Sequence, residues 1–293
     1  RLIMQVKSSL KNIAEKTNRF NRHPMAVVSI IFLSIITLSS IFAFLSPYDP
    51  YRNSVFNKFL PPSTEHIFGT DALGRDLLTR ILYGGRNSLL IGVLSMLVSL
   101  VIGLPIGLIS GFFGGRIDQL ISRFIDIYLS VPALFVMIIL SAMMQDFNLP
   151  TIEGKPIIIA IIIGMFSWTT IARLARSATL SLREREYVVA AKAIGATPRQ
   201  VLPRHIFPNM FSVVIVEATL LIGYSIFTET GLSFIGFGVS PVTPTWGNLL
   251  RDGQTQIMTY PWLALFPGAI MTLTIAAINF SGDALRDAFD VYE

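Results

Sequence analysis

Residues 88–109, SLLIGVLSMLVSLVIGLPIGLI, contain no charged side chain, and about 20 apolar residues of helix are enough to cross a bilayer core. Ser95, Ser99, Gly103 and Gly107, with Gly111 just beyond, recur at every fourth position and so share one helix face. In lipid there is little hydrophobic drive between helices, and a face of small residues lets two backbones approach closely enough to hold by contact. This segment is therefore expected to be a membrane helix buried in a bundle, and the protein to be all-α.

The rest of the chain agrees. Of 293 residues, 52% are hydrophobic and 14% charged, with mean hydropathy +0.62, too apolar for a soluble domain. There is no cysteine, so no disulfide or thiolate metal site is expected. The net charge of +5 comes from basic residues at the ends of apolar segments, where the positive-inside bias explains them, and no nucleic-acid partner is implied.

Five further spans flank the first. A basic arm over residues 1–24 leads into a span at Met25 to Leu45, too long and without the small-residue site of a cleavable signal peptide. Residues 46–87 read as a loop with a short helix from Asp76 to Tyr83. After the 88–109 span, Leu120 to Met144 forms another, with an Arg123–Asp126 pair that can neutralise itself and a kink at Ser130-Val131-Pro132. A span from Ile157 ends at Ala172, with Arg173 and Arg176 snorkelling to the headgroups. Phe211 to Phe227 and Trp262 to Phe280 complete a five-helix core over residues 88–280, before a tail at 281–293. In this arrangement 16 Lys and Arg residues fall on the side of both termini and 7 on the other, which places the termini and the 181–209 loop in the cytoplasm.

That loop is SLREREYVVAAKAIGATPRQVLPRHIFPN, from Ser181 to Asn209. Ser181 and Glu184 make a capping box for a new helix through YVVAAKAI, and Gly195 suits its left-handed C′ position. Thr197-Pro198-Arg199-Gln200 caps a second, short helix that Pro203 should kink and Pro208 should end. Ala190, Ala191 and Ala193 form a smooth patch rimmed by Arg183, Arg185, Glu186, Lys192, Arg199 and Arg204, a rigid element suited to docking in another protein's groove.

Ala190-Ala191, Gly195 and the RHIFPN ending (Arg204 to Asn209) resemble the EAA loop of bacterial ABC-importer permeases. GTDALGRDLLTR (Gly69 to Arg80), GLSFIGFG (Gly231 to Gly238), TWGNLL (Thr245 to Leu250) and NFSGDALRDAFD (Asn279 to Asp290) are similar to patterns in the second permease subunit of the dipeptide, oligopeptide and nickel branch. The resemblance implies a six-helix fold like that of the methionine importer permease. It implies a coupling helix on an ATPase subunit, with Glu186, Ala190, Ala191, Lys192 and Gly195 at the contact and Arg199, Arg204 and His205 flanking it. It also implies a homologous permease as partner, two cytoplasmic ATPase subunits that hold ATP and Mg, an external solute-binding protein, and a bacterial plasma-membrane location. The chain departs from the pattern at Val189, where a Glu is usual, and at Pro203, Ala284 and Val291. Glu186, three residues before Val189 on the same face, is the candidate replacement carboxylate.

No G-x-x-x-x-G-K-[ST] occurs, so the chain is expected to hold no ATP itself and to be no enzyme. Short peptides are the implied cargo, with nickel or a metal chelate as the alternative. Glu217, inside an apolar span, is a pathway candidate; a stand-alone secondary transporter using it, and a membrane scaffold that recruits a protein, are the competing readings. Glu229 is expected at a solvated helix end. His205, with no partner at ligand spacing, is not expected to bind metal, and the Gly236-Phe237-Gly238 stretch reads as a turn.

Overall fold

The computed structural model describes residues 24–145 and 154–289; the basic arm, the 146–153 connection and the end of the tail, with the expectations that rest on them, lie outside it. Most of the described residues are helical, with an isolated bridge between Thr70 and Asp76 and no strand among them. The helices are α1 (Pro24–Ile41), α2 (Leu77–Phe113), α3 (Gly115–Ser130), α4 (Ala133–Gln145), α5 (Gly154–Leu182), α6 (Glu186–Ala193), α7 (Pro198–Val201), α8 (Phe207–Ile235), α9 (Trp246–Gln254) and α10 (Trp262–Phe289). Five segments among the described residues are long and apolar enough to span a membrane: Pro24–Leu45, Leu77–Phe113, Pro156–Leu182, Pro198–Ile235 and Trp262–Ala288. α3 and α4 make a sixth if taken as one broken span, bent by 72°. The break falls at the expected Ser130-Val131-Pro132, where Val131 is extended as a residue before proline should be.

The packing is organised by α2 and α5. Ser95 Oγ donates to Ala160 O and Ser99 Oγ to Gly164 O, both at 2.9 Å and both across 65 residues. A Cβ on Gly103, Gly107 or Gly111 would stand 2.4, 2.4 or 2.6 Å from the carbonyl oxygen of Trp168, Ala172 or Arg176. All five small residues thus meet a carbonyl at the same offset, so the two helices run parallel and backbone to backbone. Gly164 returns the contact, since a Cβ there would lie 2.7 Å from Ser95 O.

α2 differs from its expected form. Instead of a short helix and a separate span, one helix of 37 residues begins after Asp76, whose side chain accepts the Thr79 N–H. Gly84 and Gly85 do not break it; they make room for Trp246, and a Cβ on Gly85 would also strike Ser40 Oγ of α1 at 2.3 Å. Trp246 is fully buried there, its indole N–H donating to Ile81 O and its backbone N–H to Ser88 Oγ, each at 3.1 Å. Around it Leu77, Ile81, Ile226, Leu249, Leu263 and Met271 join α2, α8, α9 and α10 in one core.

At the other end α5 runs through Ser181 to Leu182, and α6 starts only at Glu186, with Arg185 as an N-cap that makes no side-chain cap. The α2 contact continues to Gly111 against Thr179, and this packing outweighs the local capping signal of Ser181. The stop expected at Pro208 also fails, while Pro203 falls inside a local distortion of the helix. Leu202–Ile206 forms a π turn leading straight into α8, with Phe207 N–H reaching back to Leu202 O. The wider turn absorbs the missing N–H groups of Pro203 and Pro208, and a helix continues where a stop was expected.

Replacing Gly107 with Val should force α2 and α5 apart, at a cost of about 1–3 kcal/mol or more. The checkable result is a lower unfolding temperature and aggregation on size-exclusion chromatography in mild detergent. Gly231→Ala, where an added Cβ meets nothing within 4 Å, should leave both unchanged.

Candidate functional site

Polar groups gather at the two ends of α2. At its C-terminal end, α6 closes with a complete Schellman turn: Ala196 N–H bonds Ala191 O and Gly195 N–H bonds Lys192 O, both at 3.0 Å. Gly195 holds φ +89°, the conformation this turn requires. α7 follows, with Gln200 Oε1 accepting the Thr197 N–H at 2.9 Å.

α6 has its own seat. Val188, Val201 and Ile206 are fully buried against Leu108, Phe112 and Leu182, and the Lys192 ammonium lies 5.0 Å from the Phe112 ring centre. Arg183 Nη1 donates to Gly111 O at 3.1 Å, capping the end of α2. Arg176 does not snorkel as expected: it grips Asp118 of α3 through two nitrogens, Nη2 to Oδ2 at 2.6 Å, while Ser110 Oγ donates to Asp118 at 2.5 Å. A carboxylate within reach of two guanidinium nitrogens makes a forked, charge-assisted pair. On the other face of α6, Glu186, Val189 and Ala190 are exposed; Lys192, Gly195, Arg199 and Arg204 are exposed too, and Ala191 and His205 are half-buried. Glu186 and Ala190 share a face with Val189, and Glu186 also occupies the first turn, where a carboxylate is favoured by the helix dipole.

At the N-terminal end of α2, three of the quoted motifs meet. Asp71 Oδ2 accepts from Arg75 Nε at 2.8 Å and Arg80 Nη1 at 2.5 Å, and its Oδ1 accepts the N–H groups of Leu73 and Arg75. Burial opposes ionisation of Asp71, but the Arg80 charge and the hydrogen bond from Arg75 outweigh it and hold the carboxyl below its ordinary range. Arg80 is 0% exposed. Asp76 caps α2 and also meets His66 Nδ1 at 3.0 Å. From TWGNLL, Asn248 Nδ2 ties the 239–243 turn by bonds to Val239, Ser240 and Thr243 carbonyls, each 3.1 Å.

Glu229 is not at a solvated helix end. It is 0% exposed, and its Oε1 accepts from Ser233 Oγ at 2.7 Å and Thr245 Oγ1 at 2.9 Å. α8 continues past it, and the 237–254 segment folds back across it, so that the carboxyl ties GLSFIGFG to TWGNLL. Glu217 is half-buried and lines a cavity of about 250 Å³ with Leu174, Ser212, Asp283 and Arg286, so it sits among charged groups rather than alone in an apolar zone. Arg123 and Asp126 form no ion pair and are both exposed; the basic residue precedes the acidic one, the weaker order on a helix.

The Asp71, Arg75 and Arg80 cluster and the Glu229 linkage were not expected from sequence. The four-residue Asp71 to Arg75 spacing in a polar stretch next to a span was the available signal for the first.

Val188→Asp would put a carboxylate into the apolar seat of α6. Limited proteolysis of the detergent-solubilised protein should then cut at 183–206 several-fold faster, with the α2–α5 bundle intact.

A family model described as the binding-protein-dependent transport system inner membrane component matches residues 103–291, and one described as the N-terminal TM domain of oligopeptide transport permease C matches residues 15–62. The chain is 42% identical over 279 residues to the oligopeptide transport system permease protein OppC of Escherichia coli (strain K12), covering 93% of this chain and 88% of the relative. It is 39% identical over 285 residues to OppC of Bacillus subtilis (strain 168), covering 97% and 91%. Among solved structures, an inward-facing form of the MetNI methionine ABC transporter matches with a TM-score of 0.57 at 18% identity, over 72% of this chain and 97% of that one; the likeness is one of fold. With matches of this extent over both parts of the chain, the protein belongs to the multi-pass membrane permeases of binding-protein-dependent ABC importers, as their inner membrane component.

Proposed function

We propose that this permease carries short peptides through a pathway it encloses with a second, homologous permease subunit, and that two ATPase subunits holding ATP and Mg drive it. Both termini and the 181–209 loop then face the cytoplasm, in a bacterial plasma membrane, and a solute-binding protein delivers cargo at the opposite end. The cargo reading is supported by the oligopeptide relatives.

The observation that carries the coupling role is the form of α6. It is short, stopped at both ends, fixed from below by Val188 and Lys192 on the end of α2, and open above along Glu186, Val189 and Ala190. A push on the open face therefore reaches α2 and α5 without being lost in a soft loop. Ala190 and Ala191 allow close approach of a groove, while Glu186, Lys192, Arg199, Arg204 and His205 supply the polar rim.

Gly195→Val tests this. A Cβ there meets nothing within 4 Å, so its whole effect comes through φ +89°, a backbone state costing a branched residue about 1–2 kcal/mol. ATP-dependent uptake of a labelled tripeptide by proteoliposomes bearing the whole assembly should fall at least about tenfold, with membrane insertion unchanged. Normal uptake would sink the coupling role.

A further inference from the structure

At the N-terminal end of α2 lies a cavity of about 490 Å³, walled by Asp71, Arg75, Arg80, Arg251 and Asp252, with Leu249 and Leu263 among its apolar lining. Its polar groups do not balance. Asp71 is fully engaged, with two backbone N–H groups on Oδ1 and two guanidinium nitrogens on Oδ2. Arg80, wholly buried, leaves Nε and Nη2 without an acceptor. The nearest other carboxylate, Asp252, stops 3.9 Å from Arg80 Nη1. Of its guanidinium nitrogens Arg75 gives Asp71 only Nε, and Arg251 makes a long 3.5 Å bond to Ser233 O.

Three guanidinium groups thus face two carboxylates, one positive charge in excess, and a buried charged donor without an acceptor is costly. Planar forks of N–H donors match a carboxylate in shape and charge. The volume is in the range of small-molecule sites, which typically hold about 300–1,000 Å³.

We propose that this cavity binds the C-terminal carboxylate of a short peptide, with Arg75 and Arg80 as the charged receptor, Arg251 as a second donor, and Leu249 and Leu263 against the last side chain. This rests on the peptide reading above. Since Arg80 also holds Asp71, the informative variants are Arg75→Gln and Arg251→Gln, which leave the Asp71–Arg80 pair in place.

The test is equilibrium binding to the purified assembly in lipid nanodiscs, with no solute-binding protein present, of trialanine and of its C-terminal amide. Acetate and inorganic phosphate serve as competitors. The free acid should bind at least about tenfold tighter than the amide, acetate should compete, and each variant should reduce the acid-to-amide ratio to about threefold or less. Equal binding of acid and amide, an unchanged ratio in both variants, or a site that takes phosphate but no peptide would each overturn the proposal. ATP-driven accumulation of trialanine separates the two levels. If uptake proceeds without acid–amide discrimination, this site fails and the peptide function stands; if no peptide accumulates, the peptide function fails.

Discussion

The direct backbone contact between α2 and α5 is the constraint on which the other placements depend. A side chain larger than Ser at 95 or 99, or any side chain at 103, 107 or 111, would press the two helices apart, and the constant offset of 65 residues allows only one register. Two hydroxyls spend their hydrogen bonds on carbonyls of the neighbouring helix, and three glycines bring carbonyl oxygens to van der Waals distance. In lipid, where burying apolar surface gives no advantage between helices, such contacts are what distinguishes one arrangement from another. The parallel direction follows as well. Two parallel membrane helices require a crossing between them, and the bent α3–α4 pair supplies it.

The 37 residues of α2 extend about 55 Å at 1.5 Å per residue, far beyond the roughly 30 Å of a bilayer core. Both ends therefore emerge into polar surroundings, and both are capped by charge. Asp76 caps the first turn, with Arg80 drawn down onto Asp71. Arg183 caps the last carbonyls, and Asp118 gathers Ser110 and Arg176 beside it. The same helix thus carries the seat of α6 at one end and the Arg80 cavity at the other.

The small-residue ladder was legible because a four-residue period of Ser and Gly in a run without charge has few other uses, and the contact it builds is local to one helix face. The Gly195 turn was legible because its geometry is decided within six residues. What could not be read were outcomes decided by distant partners. Gly84-Gly85 resembles a break until Trp246 is seen against it. The Ser181 capping box is overruled by Gly111 and Thr179, and Pro203 and Pro208 are absorbed because a π turn can widen where a standard turn cannot. Glu229 looked like a helix-end residue because the fold-back of residues 237–254 leaves no trace in its neighbours. Among the candidate contact residues of the loop, the structure collects Glu186, Ala190 and Lys192 on one short helix and leaves Arg199 on the next and Arg204 in the π turn after it, which is an arrangement sequence alone could outline but not orient.

A transport cycle needs at least two arrangements of the same helices, and each ligand can favour one only through contacts that differ between them. The α2–α5 pair is a poor place for that difference, since its carbonyl contacts allow neither sliding nor separation without loss of the whole ladder. Change is easier in the elements outside that pair: α3–α4, bent at Ser130-Val131-Pro132 and tied by Asp118, and the group of α8, α9 and α10. At that second boundary the interactions are unequal. Arg80 is held tightly by Asp71, from the segment before α2, and loosely by Asp252 of α9, at 2.5 and 3.9 Å. A guanidinium nitrogen bonded to one carboxylate and only approached by the other is an arrangement in which movement of α9 changes electrostatic energy without breaking the Asp71 bond, and so the end of α2 farthest from α6 is where a displaced bundle and the proposed anion can be linked.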